Sequence, residues 1–138
     1  MKKTYLANQI NSSPTLFGKA GAAVEDIRFK AVTFDDNGKV ILAEAGKAAL
    51  GIAIATTGDA NGKVAIGDQV DIQIKDIGLA MAGGEVKAGV PVTIGADGKL
   101  VAAASGNFVL GYAVTAAKAD GDIIQIQIAK GYYPTAAN

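Results

Sequence analysis

A segment of this chain occurs twice. Residues 32–55 return sixty positions later as residues 92–115, without a gap. Val32-Thr33 matches Val92-Thr93, and Gly38-Lys39 matches Gly98-Lys99. Ala43, Gly46, Leu50, Gly51 and Ala53 match Ala103, Gly106, Leu110, Gly111 and Ala113. Each copy leads to an alternating run, Val70–Ile74 in the first and Ile124–Ile128 in the second. Alternation with period two is a strand pattern, because successive side chains point to opposite faces. A duplicated strand-turn unit restricts the chain to an all-β fold, a small barrel or a sandwich.

The punctuation agrees. Asn37-Gly38, Asn61-Gly62, Asp97-Gly98 and Asp120-Gly121 separate apolar runs and suit hairpins or tight corners. Strands are expected near 27–34, 39–44, 49–56, 69–75, 91–94, 99–103, 108–115 and 123–129. Gly51 and Gly111 recur inside strands, where glycine marks a bend, a bulge or a close backbone crossing. Pro91 suits the first position of a strand, where a ladder donor is least missed. The Ala-rich run Val101–Ala104 looks helical by itself. Its counterpart Ile41–Glu44 follows a hairpin turn, so any helix here is short.

Aromatics make up only 6% of a chain that is half hydrophobic, so the core is built from Val, Ile, Leu and Ala. At 138 residues one domain is expected, and a chain of that size buries roughly two-thirds of its unfolded surface. The expected organisation is an N-terminal arm over 1–20, a β domain over 21–131 with its repeat at about 32–75 and 92–128, and a tail over 132–138. The arm is polar apart from Tyr5, Leu6, Leu16 and Phe17, and the tail carries Tyr132 and Tyr133 before Pro134. These six residues are the expected partner-binding side chains. The competing readings are a frayed terminus and a tail packed on its own domain.

Chemistry is sparse. Thirteen basic residues balance thirteen acidic ones, without a run of either sign, so nothing supplies the basic face that nucleic acid or a membrane surface demands. No apolar stretch is long enough to span a bilayer, and the segment after Met1-Lys2-Lys3 is too polar for a secretory leader. Cys and His are both absent, which removes disulfides, thiolate chemistry, the usual general base and the commonest transition-metal ligand. Asp35-Asp36-Asn37-Gly38, Asp59, Asp120 and Asp122 could be taken for calcium ligands. No segment has the spacing of a calcium loop, and turn chemistry explains the same residues. Glu25-Asp26 and Asp35-Asp36 are sequence neighbours that a strand would point apart, so they make poor catalytic pairs. Leu79–Gly84 has the look of a carrier-domain hairpin but no lysine lies between Lys75 and Lys87. No catalytic residue, cofactor or metal is expected, and the chain reads as a non-enzyme.

Three phrases resemble those of tailed-bacteriophage head fibre and capsid decoration proteins: Asp26–Asp35, Val70–Gly78, and Gly98-Lys99 leading into Phe108–Ala113. The similarity covers most of residues 19–131. It implies a small β-barrel or sandwich that forms homotrimers, binds the major capsid protein and sits on the outer surface of the virion after synthesis in the bacterial cytoplasm. The alternative function is a host-surface or glycan-binding module displayed on the particle. Tyr112, Tyr132 and Tyr133 would then stack on sugars.

Overall fold

A computed structural model describes residues 13–135. Among these residues, ten strands form two five-stranded antiparallel sheets. The first holds β1 (Thr15–Lys19), β2 (Ala31–Phe34), β3 (Val40–Leu42), β4 (Gly51–Ala53) and β5 (Gln69–Gln73), in the order β1-β5-β4-β2-β3. The second holds β6 (Ile77–Met81), β7 (Pro91–Ile94), β8 (Leu100–Ala102), β9 (Phe108–Ala113) and β10 (Ile123–Tyr132), in the order β6-β10-β9-β7-β8. The two orders are the same order, shifted by five strands. The duplication therefore covers two complete modules, and is wider than the repeat seen in the sequence.

Hydrogen bonds repeat strand for strand. Gly21 donates to the Val40 carbonyl as Gly83 donates to that of Leu100, both at 2.8 Å. Ala20 meets Val40 in a parallel bridge, and Ala82 meets Leu100 in another. These bridges bring the two edges of each sheet together at one point. Each sheet is thus half-rolled, and neither closes into a barrel.

Residue chemistry explains the elements. Val70 and Ile72 of β5 turn inward and are fully buried, as are Ile124 and Ile126 of β10. Each such side chain contributes roughly 1.5–3 kcal/mol by leaving water. Gly51 and Gly111 mark close crossings. A Cβ there would lie 2.0 Å from the carbonyl oxygen of Gln73 or Gln127, so only hydrogen fits. All four Asx-Gly pairs carry a left-handed glycine, but only Asp97-Gly98 has positive φ at both residues. That pair closes the β7–β8 hairpin through the 3-10 turn Ala96–Gly98. Val101-Ala102, at the start of the Ala-rich run, is strand and not helix.

All eight expected strands form, and two more appear. Thr15–Lys19, inside the segment read as an arm, pairs along all of β5. In β6, Gly78 and Ala80 face inward while Ile77 and Leu79 are exposed. That pattern is inside-out by composition, which hid the strand.

Each module has its own buried cluster, and the second reaches into the first. Ile27, Val32, Val64 and Ile72 fill the first, with Leu16 and Leu50 packed against them. Val92, Leu100, Leu110 and Ile126 fill the second. Its cluster also includes Ala31, Ala43, Ala49 and Ile52, which the first module sends across the junction.

Candidate interaction surfaces

The carboxylates singled out by the sequence serve the turns. Asp35 accepts the N–H groups of Asn37 and Lys39 at 2.8 and 2.9 Å. Asp59 does the same for Asn61 and Lys63, and Asp122 for Lys118 and Ala119. These backbone donors stabilise the charged form and hold the Asp59 and Asp122 carboxyls below the ordinary range. The Asp26 carboxyl is lowered chiefly by its hydrogen bond from Arg28, a forked pair with both contacts at 2.9 Å. Among the described residues, no three His, Cys, Asp or Glu side chains gather to hold a metal.

What the surface offers is apolar. Phe17 projects from β1, two-thirds exposed, directly opposite Asp71. Leu16 beside it packs against the first module's own core, because alternation turns it inward. Tyr132 is 72% exposed and meets Phe108 edge-to-face, with ring centroids 5.7 Å apart. Tyr133 is held by backbone bonds to Asn107 and Gly106, at 2.9 and 3.1 Å. Tyr5 and Leu6 lie outside the described residues.

Two open clefts organise these side chains. One, of about 310 Å³, lies at the junction of the modules, where Phe29, Ile54 and Gln73 of the first face Ile77, Leu79 and Gln125 of the second. Phe29 has φ of 65°, a left-handed conformation that is costly for a bulky residue. Its counterpart in the second module is Gly89, with φ of 85°. The Phe29 carbonyl accepts the Met81 N–H at 2.8 Å and so ties the modules at this point. The other cleft, of about 340 Å³, gathers Pro91, Val109, Tyr112, Tyr132 and Tyr133 beside Lys130. Burial lowers the Lys130 ammonium, whose amine donates to the Leu50 carbonyl across the junction. Composition could not have gathered the three tyrosines. The β9–β10 pairing, with Gln127 opposite Tyr112 and Tyr132 opposite Phe108, does so.

The outer face of the second sheet adds uncharged surface. Gln125 lies opposite Leu79, and Gln127 opposite Ile77, all exposed. On the first sheet the equivalent outward positions hold Lys19, Asp71 and Gln73 around Phe17.

The model of the phage cement protein family matches residues 58–128, just over half of the chain. The chain belongs to the phage cement protein family. Cement proteins are structural components of the virion that decorate the capsid, and this chain takes that role. Its fold is also that of the gp8.5 N base of the bacteriophage phi29 head fibre. That structure aligns with a TM-score of 0.64 over 86% of this chain and 96% of the other, at 24% identity. No curated protein matches the chain. The match begins at residue 58 and so spans β5, β6 to β9 and the first part of β10, as far as residue 128. The clefts and the uncharged face of this cement protein lie largely within or beside that span.

Proposed function

We propose that this cement protein binds the major capsid protein on the outside of the phage head as a homotrimer, and that it stabilises the assembled shell. The family match over residues 58–128 carries this reading. The uncharged outer face of the second sheet supports it, since interface cores are depleted of charge. Binding only the assembled lattice would stabilise that lattice by mass action. Three linked copies would engage three neighbouring capsid sites together and gain avidity from weak contacts.

The test is co-sedimentation with cognate capsids, before and after expansion, followed by heat challenge of the decorated shells. Binding to expanded capsids with a raised disruption temperature is the expected result. No binding to either form at any salt concentration would overturn the reading. A second reading, a glycan-binding module, is favoured by one observation: Tyr112, Tyr132 and Tyr133 line one cleft. Hits on a glycan array that disappear in Tyr132→Ala would support it.

A further inference from the structure

The junction between the two modules is not symmetric. The first module presents the outer face of its sheet, with Ala31, Ala49 and Ile52 buried against the second. The second presents an edge and a hairpin tip. Met81 donates to the Phe29 carbonyl at 2.8 Å, and Gly98 lies close against Lys30 and Ala31. The repeat relates Ala31 to Pro91, Ile52 to Tyr112, Met81 to Lys19, and Gly98 to Gly38. Register confirms it, since Ala31 pairs with Ile52 as Pro91 pairs with Tyr112. No residue is related to its own contact. The modules therefore join head to tail, the kind of contact that leaves an unused half at each end.

Both unused halves are exposed in part, although Val109 of the second is buried beside the end of β10 that pairs with it. On the second module, the position of buried Ile52 is taken by Tyr112, which is 47% exposed. On the first module, Phe34 and Phe17 are 40% and 66% exposed. A Cβ on Gly98 would touch Lys30 and Ala31, whereas one on Gly38 would meet nothing within 4 Å. We propose that a second copy of this chain fills the vacant half: its β1 edge and β2–β3 turn, with Phe17, Phe34 and Gly38, seat on the second sheet at Pro91 and Tyr112, as the second module seats on the first.

Side-chain sizes are complementary. Inside the chain, small Ala31 and Ala49 share a cluster with Phe108. Between copies, the larger Pro91 would meet Ala48, the counterpart of Phe108. The tail forms one wall of the socket. Tyr133 accepts the Gly106 N–H, as Ile94 accepts that of Gly46 inside the chain, so copies meet with one backbone bond fewer. Head-to-tail contacts propagate until the rotation closes a ring. This inference rests on the self-association part of the proposed function and names its interface.

The chain has no cysteine, so an introduced pair reports on the junction alone. The Cβ of Lys30 and the built Cβ of Gly98 lie 3.2 Å apart. The related positions Gly38 and Val90, on two different copies, thus fall near disulfide range, about 3.5–4.5 Å between Cβ atoms. Under mild oxidation the double variant Gly38→Cys with Val90→Cys should give covalent oligomers. Either single variant should give none, and a mixture of the two singles should give dimers only. Independently, Tyr112→Glu should reduce the light-scattering mass to that of one chain, 13.9 kDa, while the far-UV circular dichroism stays that of the folded chain. Disulfide dimers from a single variant would indicate a face-to-face contact and overturn the proposal. An oligomer that resists Tyr112→Glu and gives no cross-link would place the interface elsewhere while leaving self-association intact. A monomer at every concentration, with no cross-link, would end both.

Discussion

The two modules share one strand order and differ in what lies over it. In the first, the outer face is covered around β2 and β4, where Ala31 and Ile52 are buried, and stays exposed at Phe17 of β1. In the second the same face is open, and Tyr112 stands where Ile52 stood. The offset between modules is sixty residues at β2 and β7 but fifty-four at β5 and β10, so the first module's loop before β5 is six residues longer. That loop carries its own fastenings. Thr57 is buried and exchanges hydrogen bonds with the Asp71 backbone, and Asp59 organises the Asn61-Gly62 turn. Gly62 donates its N–H to the Asp59 carbonyl at 2.9 Å and accepts the Ile27 N–H at 3.0 Å through its own carbonyl. The difference teaches that duplication supplied two equal scaffolds, and that burial by the neighbour then separated their roles. One became a base for its twin. The other left its face exposed.

The comparison can be broken most severely at the shared feature. Gly51→Ala and Gly111→Ala each put a methyl into a carbonyl oxygen, so each should cost about 3 kcal/mol or more in urea unfolding. Tolerance of one but not the other would show that the modules are not structurally equal. The next test separates them. Ile52→Ala should cost about 2–5 kcal/mol, because it empties a buried site. Tyr112→Ala at the matching position should stay within about 0.5 kcal/mol in the isolated chain.

A smaller contrast is expected at the hairpin tips. Gly38→Ala and Gly98→Ala both pay for positive φ, roughly 1–2 kcal/mol. Gly98→Ala should cost more, since its methyl also presses on the Ala31 carbonyl at 2.9 Å. Thermal melts of the two variants side by side read this difference.

The acid limb probes one aspartate-held turn in each module. Asp59 and Asp122 titrate below the ordinary value in the folded chain. Their contribution is therefore present above the unfolded pKa of about 3.9, and is lost as pH falls through the folded value. The melting temperature should drop below about pH 4, and Asp59→Asn with Asp122→Asn should flatten that drop. The smallest expected effect is at Thr93, whose buried hydroxyl has no hydrogen-bond partner among the described residues. Thr93→Val should be neutral or stabilise by up to about 1 kcal/mol.

Much of the scaffold was legible in the residues. Alternation in Val70–Ile74 and Ile124–Ile128 gave the central strands, because a half-buried strand must segregate its faces. Paired Gly51 and Gly111 marked a bend, a bulge or a close crossing, and the structure shows the crossing, which tolerates no side chain. β6 was illegible for the converse reason: Gly78 and Ala80 are small enough to lie under other groups, and Ile77 with Leu79 is left outside. The candidate surface was only partly legible. Tyr132 and Tyr133 attracted attention as an aromatic pair, but Val109 and Pro91 in the same cleft look like ordinary strand residues.

By itself, then, the sequence determined an all-β chain, its repeat, its turns and the scarcity of chemistry, because each of these depends on local sterics and on residue type. Tertiary structure alone decided which copy of a repeated face is buried. Ala31 and Pro91, or Ile52 and Tyr112, occupy the same place in the same sheet. Only the head-to-tail packing of one module on the other, a contact between residues far apart in the chain, takes water from one and leaves it on the other.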